Sequence, residues 1–550
     1  MLDESTGLGE RRARTVVIMI LFAQAVWAFL FKYLPLDAGL WALQSELVRT
    51  HLSGSSHDAL RVIPFPVANM GAPFLGALMT SIMSGEIATR ILLTFGGIFL
   101  RGLGIVMLFR VLHVRDIAVY LLVPILVMSG VWFSGALPLL LAETAAFWVL
   151  AFFLSQEHPH SVAFWIISLG LLLVAWFHAL VFLLLVVVIL MVMREQSRSV
   201  HLSQGWLSEP RAVMSLLLPG VVLVVLGFIG GEPILQLSSS HLLPDGLRRS
   251  LFLLTPAPDV IEATFRYENI VHLLLTVLFG IVVLGCFARA YLLAIEEVTW
   301  QSRALRTAGY VLLVLALLGP LFASSGIETS SGLILATVLV LAGSYSGGPA
   351  VRRTPADRLL YTGALIAIIA SLGLNAFSIA VGSSAASDVL KSSRMLIAQE
   401  RQQALEDEHL DNIRIRFVLD SALVATQESG LVGRLSYSST APMYLFGEHD
   451  LLAQPSAFQP RGGMVRTNTA AANASPVFPM QLGSEDRYVD STMRILAAMN
   501  DSSHISPSFG PFSLYLTEDA GMMIDKGEAN YRLMIGKLKA GHPIEMAVAR

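Results

Sequence analysis

Asp37 is the residue of this chain best placed for acid–base chemistry. It lies just beyond the first long apolar segment, in the sequence Pro35-Leu-Asp37-Ala-Gly39. A carboxylate at a membrane surface, beside apolar neighbours, is partly desolvated. Its basicity rises, which suits a general base acting on a hydroxyl group. Asp is also a preferred N-cap residue, and the sequence predicts a helix over 38–52. The catalytic and the capping roles are compatible, and both stay open.

Glu46 is the second carboxylate of this segment. It lies three residues before Arg49 on the predicted helix, so we expect the two side chains to pair. Glu46 is alternatively a partner for Asp37 in binding a divalent metal ion. Because a helix rises 1.5 Å per residue, the two carboxylates are separated by more than ~13 Å, and a shared metal site requires a bend.

Ionisable residues inside apolar segments are a further group of candidates, because burying a charge in a membrane is expensive. Glu143 lies in a long apolar segment, and Arg90 and Arg101 lie in an earlier one. We expect Glu143 either to face the same cavity as Asp37 or to form a structural ion pair, with Arg90 or Arg101 as its partner. His178 falls at a predicted turn, where it is either a turn residue whose hydrogen bonds are satisfied within the protein or a group that binds a ligand.

Three arginines in the loop 231–268 are candidates for binding a phosphate group. The loop mixes basic and apolar residues, as interfacial segments do. Arg suits bidentate contacts to phosphate, and the alternative role is contact with lipid headgroups. The three residues are Arg248, Arg249 and Arg266.

The composition indicates a polytopic helical membrane protein. The 550 residues are 55% hydrophobic and 14% charged, against about 25% charged in soluble proteins. The net charge is −3 and there is no long basic run, which argues against a nucleic-acid partner. A single cysteine, Cys286, excludes a disulfide within the chain and a multi-cysteine metal site.

The apolar segments predict about eleven membrane spans, each close to the ~20 residues that a bilayer requires. The run 161–193 is divided at Trp176-Phe177-His178, where the polarity rises; a single kinked helix is the alternative. With this division and a cytoplasmic N-terminus, most arginines fall on the inner side, as the positive-inside rule requires. The predicted spans are 15–34, 87–109, 117–135, 137–155, 161–177, 179–193, 212–230, 269–290, 305–324, 330–346 and 359–382.

The chain divides into a bundle, residues 1–382, and a C-terminal region, residues 383–550. The bundle carries two outer loops, 35–86 and 231–268, on the same side as the C-terminal region. Polar and charged residues return after Ser383, which predicts a small periplasmic α/β domain. The predicted elements are an amphipathic helix over 387–410, strand-like runs within 413–424, 430–446 and 512–517, a Pro/Ala/Asn-rich loop over about 453–480, a helix over 488–499 and a mixed segment at 530–538.

The order of these segments resembles the GT-C superfamily of integral membrane glycosyltransferases, especially the protein mannosyltransferases and aminoarabinose transferases. A first span is followed by a loop that opens with Asp37, an amphipathic helix and the prolines Pro64, Pro66 and Pro73. Glu86-Ile-Ala-Thr-Arg90 is similar to the motif that begins the second span of that family. The chain departs from the family where Asp37 is followed by Ala38, because many members have two adjacent acidic residues there.

The resemblance implies an inverting transfer of a sugar from a polyprenyl-phosphate-linked donor, with Asp37 as catalytic base. It implies a glycan, lipid or protein acceptor on the periplasmic side of a bacterial inner membrane. The resemblance assigns no cofactor with certainty, and dependence on a divalent metal ion stays open. Two alternatives stay open: a non-catalytic subunit with the same fold in an envelope-polysaccharide assembly complex, and, less favoured, a transporter of lipid-linked sugars.

Overall fold

A computed structural model of the chain shows a helical bundle followed by short strands. The placement of several segments, among them most of the C-terminal region, is not described below. The residues that the structure describes are 2–32, 34, 38–53, 60–62, 68, 70–114, 116–133, 135–156, 161–199, 210–229, 270–293, 299–318, 326–345, 355–406, 415–419, 465–467, 512–517, 532–537 and 545–549.

The first third of the bundle contains one long helix and a series of shorter ones. Three consecutive elements, α4, a π-helical segment and α5, form one continuous apolar rod. The elements are α1 (Leu2–Leu30), α2 (Ala38–Leu52), α3 (Gly71–Thr80), α4 (Gly85–Ile91), the π-helical segment (Leu92–Leu100), α5 (Arg101–Val111), α6 (Ile117–Val127) and α7 (Gly130–Phe133).

Eight further helices complete the helical part of the described chain. They are α8 (Leu137–Ser155), α9 (Ser161–Phe177), α10 (Ala179–Ser199), α11 (Pro210–Ile229), α12 (Ile270–Leu293), α13 (Trp300–Leu318), α14 (Gly326–Ser344) and α15 (Pro355–Glu406). The division predicted near 176–178 falls at His178, between α9 and α10. Backbone hydrogen bonds between residues four apart lie on both sides of His178, so the division into two spans and the single kinked helix both stay open.

Five of the described helices are long and apolar enough to cross a membrane, judged by length and composition. They include the rod Gly85–Val111 and the helix Leu137–Ser155, and shorter apolar helices lie among them. The chain is therefore consistent with a helical membrane protein. The total of about eleven spans stays a prediction.

The helices pack through a single apolar core. The main neighbours are α1 on the π-helical segment, α5 on α8, α8 on α9, α9 on α11, α10 on α13, and α13 on α14. At the α13–α14 contact, a Cβ on Gly343 would lie 2.8 Å from the backbone N of Arg306. Small residues at such crossings allow helix backbones to approach closely, which drives association in membranes.

The long helix α15 contradicts the prediction of two separate helical elements in this part of the chain. The span 359–382 and the amphipathic helix over 387–410 were expected as separate elements, but α15 is continuous from Pro355 to Glu406. Its 52 residues correspond to about 78 Å at 1.5 Å per residue, well beyond a bilayer core of ~30 Å. The change from apolar to polar residues therefore does not end the helix.

The strands form two small sheets. Strands β2 (Ile415–Leu419), β4 (Phe512–Thr517), β5 (Arg532–Lys537) and β6 (Glu545–Ala549) form a sheet in the order β2-β4-β5-β6, with β6 antiparallel to β5. The predicted strands within 413–424 and 512–517 are thus confirmed, and the mixed segment 530–538 contains β5. The predicted strand at 430–446 and helix at 488–499 lie outside the described residues.

The second sheet joins distant parts of the chain. Strand β1 (Leu60–Val62), from the loop between the first two spans, pairs antiparallel with β3 (Val465–Thr467) from the C-terminal region. β3 lies within the segment expected to be a Pro/Ala/Asn-rich loop. The C-terminal region therefore contacts the first loop directly.

Candidate functional site

The first loop is anchored on the bundle by α2 and α3. The indole Nε1 of Trp41 donates a hydrogen bond of 2.9 Å to the backbone oxygen of Gly135, just before α8. On α3, the ring of Phe74 lies 5.3 Å from that of Trp176 at the end of α9. The two loop helices also pack tightly on each other, since a Cβ on Gly76 would collide with Ser45. Helices α2 and α3 thus form a packed layer against the ends of α8 and α9.

Asp37 is the residue immediately before this anchored layer, because α2 begins at Ala38. Asp37 itself lies outside the described residues, as do Arg248, Arg249 and Arg266. Their proposed roles as base and phosphate ligands therefore stay predictions. What the structure defines is the start of the helix that follows Asp37, where Ala38 and Trp41 are buried.

Glu46 joins α2 to α4. Its Oε2 accepts a hydrogen bond of 2.9 Å from Nε of Arg49, which confirms the predicted pair. Its Oε1 accepts one of 2.7 Å from the backbone N–H of Gly85, the first residue of α4. A carboxylate is favourable at this position because the first N–H groups of a helix lack partners within the helix. Gly85 is required there, since a Cβ would lie 2.7 Å from the backbone oxygen of Ala42.

Arg90 contacts the end of α1. Its guanidinium donates a 3.4 Å hydrogen bond to the backbone oxygen of Phe31 and lies 4.9 Å from the ring centroid of Phe29. One turn earlier, Glu86 forms an ion pair of 3.7 Å with Lys32. A cation near the last carbonyl groups of a helix offsets their partial negative charge. Arg90 therefore holds α4 against α1, and it is not the partner of Glu143.

Glu143 pairs with Arg101 inside the bundle. Oε2 of Glu143 forms an ion pair with Nη2 of Arg101, and the two residues are only 2% and 0% exposed. Nη1 of Arg101 also donates a 3.4 Å hydrogen bond to the backbone oxygen of Val127. Of the two roles expected for Glu143, this geometry fits the structural ion pair, because the carboxylate is buried between α5 and α8.

Arg101 directly follows the π-helical segment, a geometry that is rare and frequently found at functional sites. Three side chains donate hydrogen bonds to backbone oxygens of this segment. Trp132 Nε1 reaches Leu93, Thr144 Oγ1 reaches Gly96 and Trp148 Nε1 reaches Leu100, at distances of 3.0, 3.1 and 2.9 Å. Donors from neighbouring elements thus stabilise a helix that departs from regular α geometry.

A second irregularity separates α6 from α7. The sequence predicted one span over 117–135, but α6 ends at Val127 and α7 begins at Gly130. The carbonyl groups near the break accept hydrogen bonds from distant residues. Gln24 Nε2 donates to Pro124 at 3.2 Å, and Asn375 Nδ2 donates to Met128 at 3.3 Å.

Gln24 and Asn375 bond the backbone at the break after α6, a role that the sequence did not predict. The sequence-based prediction covered only ionisable residues inside apolar segments, whereas both of these are neutral amides. The signal that would have found them is an isolated amide side chain in an apolar segment, since such a group needs a partner inside the membrane.

His178 connects α9 and α10. Its N–H donates to Val174 and its carbonyl oxygen accepts from Phe182, at 2.8 and 3.2 Å, so one residue ends one helix and begins the next. Burial lowers the pKa of His178 to about 4. The imidazole is therefore neutral at pH 7, and the two roles expected for His178, in a turn or in binding a ligand, both stay predictions.

No metal centre is formed by the residues that the structure describes, since none of their His, Cys, Asp and Glu side chains gather in groups of three or more. The divalent metal ion discussed for the first loop depends on Asp37 and stays a prediction. Comparisons of the chain with protein-family models, curated proteins and solved structures found no match. What the chain does must therefore be inferred from its own residues and contacts.

Proposed function

We propose that this protein is a membrane glycosyltransferase of GT-C type, which transfers a sugar from a polyprenyl-phosphate-linked donor. The acceptor is a polysaccharide, lipid or protein hydroxyl on the periplasmic side of a bacterial inner membrane. The sequence resemblance suggested this activity. The packing of the first loop is the observation in the structure that supports it best.

The first loop has the properties that this reaction needs. The helix that follows Asp37 is fixed to the bundle by the Trp41–Gly135 hydrogen bond and to α4 by Glu46. Groups that perform acid–base catalysis must be held in position by a rigid surrounding structure. The same loop pairs through β1 with β3 of the C-terminal region, which supports a role for that region in shaping the acceptor site.

The roles follow from the chemistry of the transfer. Asp37 takes the proton from the acceptor hydroxyl as the oxygen attacks the anomeric carbon of the sugar. The bond between that carbon and the phosphate oxygen breaks, and the leaving polyprenyl phosphate carries the negative charge away. Arg248, Arg249 or Arg266 stabilise that charge.

The test is sugar transfer by the Asp37→Asn variant, with a polyprenyl-phosphate-linked sugar as donor. Asn has nearly the same shape and is also a good N-cap residue, so the fold is preserved while the base is lost. We expect a loss of transfer of at least about 10²-fold, the usual contribution of a general base. Unchanged turnover would refute the assignment of Asp37.

Glu46→Gln is the matched control for this experiment. It changes a carboxylate of the same loop that is already engaged by Gly85 and Arg49. If Asp37 alone is the base, the control lowers stability and retains most of the transfer activity. Equal losses in both variants would mean that the loop was disturbed in each case.

A second candidate function is that of a non-catalytic subunit of an envelope-polysaccharide assembly complex. It is favoured by the use of Glu46, Arg90 and Glu143 in joining helices of the bundle. This candidate predicts that Asp37→Asn leaves the polysaccharide product unchanged. It also predicts that the protein co-purifies with a catalytic partner.

A further inference from the structure

Two arginines are paired where the first loop meets the C-terminal region. In the antiparallel pair β1–β3, Arg61 is the register partner of Arg466. Directly opposite residues of such a pair share one face of the sheet, with Cβ atoms about 4.5–5.5 Å apart. The fold therefore brings two positively charged residues together from parts of the chain that are distant in sequence.

Like charges at these positions oppose the pairing of the strands. Directly opposite like charges destabilise an antiparallel pair, and two strands of three residues each form a marginally stable sheet. The sequence around β3 offers no compensating charge, since residues 451–484 contain Arg461 and Arg466 but no Asp or Glu. An anion bound at both Arg61 and Arg466 offsets the repulsion.

The location of the pair favours a ligand that arrives from water. A two-stranded sheet has two open edges, and open edges exposed to lipid do not occur within the hydrocarbon of a bilayer. Strand β3 also contacts α2, the helix that begins directly after Asp37. The two arginines therefore belong to the same layer of the protein as the predicted base.

We propose that the juxtaposition of Arg61 and Arg466 forms a site for an anionic group of the acceptor, and that the acceptor is an acidic glycan. This inference rests on the proposed function, which leaves the acceptor open. The planar guanidinium group suits bidentate contacts with a carboxylate, and such charge-assisted hydrogen bonds are strong. In an acidic glycan the carboxylate and the hydroxyl groups belong to the same or to adjacent rings. A carboxylate bound at the two arginines therefore also positions a hydroxyl group.

Binding of the anion and pairing of the strands are linked. A ligand that binds the paired arrangement better than the unpaired one shifts the population towards pairing. The acidic glycan therefore holds the C-terminal region against the first loop while it is bound.

The first experiment measures binding of hexagalacturonate to the full-length protein in a non-ionic detergent by titration calorimetry, with neutral maltohexaose as the comparison. Arg61→Gln and Arg466→Gln should each weaken binding of hexagalacturonate about tenfold or more, the loss of one charge-assisted contact. Arg466→Lys should have a smaller effect, because it keeps the charge without the planar fork.

Arg303→Gln is the matched control, because it removes an exposed arginine of α13 and should bind as the wild type does. Size-exclusion profiles verify that each variant is folded. An unchanged Kd in Arg61→Gln and Arg466→Gln would overturn the proposal, as would equally tight binding of maltohexaose.

The second experiment measures the rate of disulfide formation in Val62→Cys with Val465→Cys, which are partners in β1–β3. The natural Cys286 is buried, so the rate reports the pairing of the two strands. Hexagalacturonate should raise this rate. Adding Arg466→Gln should raise the rate without ligand, because the repulsion is removed, and should abolish the response to hexagalacturonate. A purely structural role of Arg466 predicts the opposite, a lower rate without ligand, and that result would overturn the proposal.

Two further probes test the class of ligand. Hexaglutamate carries carboxylates on a peptide and should bind more weakly than hexagalacturonate, and equal binding would overturn the assignment to a glycan. Glycerol 1-phosphate, which represents a lipid headgroup, should not displace hexagalacturonate at an equal concentration. Displacement would show a site for lipid headgroups and would also overturn that assignment.

The Asp37→Asn variant separates this inference from the proposed function, because binding does not require transfer. We expect it to retain binding of hexagalacturonate. Binding that depends on both arginines, together with transfer retained in Asp37→Asn, would refute only the catalytic role. Binding that is independent of the arginines, together with transfer that depends on Asp37, would refute only this acceptor site.

Discussion

Removing the carboxylate of Glu143 should destabilise the bundle strongly. In the Glu143→Gln variant, Arg101 keeps its charge and its full burial but loses its anionic partner. The remaining contact, a 3.4 Å hydrogen bond to Val127, does not compensate a buried charge. Removing one partner of a buried pair typically costs about 3–5 kcal/mol.

The double variant Arg101→Met with Glu143→Leu makes this reasoning testable. Replacement of both partners by apolar residues of similar size is often neutral, because no charge is left unpaired. We therefore expect the double variant to be more stable than Glu143→Gln alone, and a double-mutant cycle to show strong coupling between the two sites.

The assay is the thermal unfolding of the purified protein in one detergent, followed by the loss of the monodisperse species. A cost of this size corresponds to a decrease in Tm of about 5 °C or more. The reasoning is refuted if Glu143→Gln unfolds at the wild-type temperature. It is equally refuted if the double variant loses as much stability as Arg101→Met and Glu143→Leu lose together, because the cost would then not arise from an unpaired charge.

Two further predictions concern the first loop and the α9–α10 junction. The double variant Val62→Cys with Val465→Cys should form a disulfide on oxidation, because the two positions pair in β1–β3. Opposite Cα atoms in such a pair lie about 4.5–5.5 Å apart, within the range of a disulfide. The control combines Val62→Cys with Leu514→Cys, and crosslinking of the control at the same rate would contradict the pairing. The pKa of His178 in the folded protein, about 4, lies below the value of about 6.5 expected in the unfolded chain. The unfolded state therefore binds the proton more readily. The stability of the fold should fall as the pH decreases from about 6.5 towards 4. His178→Gln should flatten the dependence of Tm on pH in that range, and an unchanged slope would exclude His178 as its cause.

Apolar segment length was a reliable guide to the helices of the bundle. A helix boundary falls at His178, within the segment 176–178 where polarity and an aromatic pair interrupt the apolar run. The pairing of Glu46 with Arg49 was predictable because it depends only on helical spacing. Each of these features is local, so the residues that determine it are close together in the sequence.

The continuous α15 shows where a local pattern fails. The sequence becomes polar after Ser383, and this change predicts a boundary between two helices. Polarity determines what surrounds a helix, whereas its end requires a residue that disrupts the backbone or caps it. No proline lies between Pro355 and Glu406, and the helix continues.

The irregular segments depend on partners that are distant in sequence. The π-helical segment is stabilised by Trp132, Thr144 and Trp148, and the break after α6 by Gln24 and Asn375. A local apolar pattern carries no information about these donors. The Arg101–Glu143 pair also depends on residues distant in sequence. The sequence predicts Arg90 and Arg101 equally well as the partner of Glu143, and only the packing of α5 on α8 decides between them.

The short connector from Met128 to Gly135 links these distant contacts. At one end Met128 accepts a hydrogen bond from Asn375 of α15, and at the other end Gly135 accepts one from Trp41 of α2. Between them Trp132 donates to Leu93 of the π-helical segment. Helices α15 and α2 are therefore both hydrogen-bonded to the backbone of the same eight-residue connector. These hydrogen bonds hold α15 and α2 against the same short stretch of the bundle.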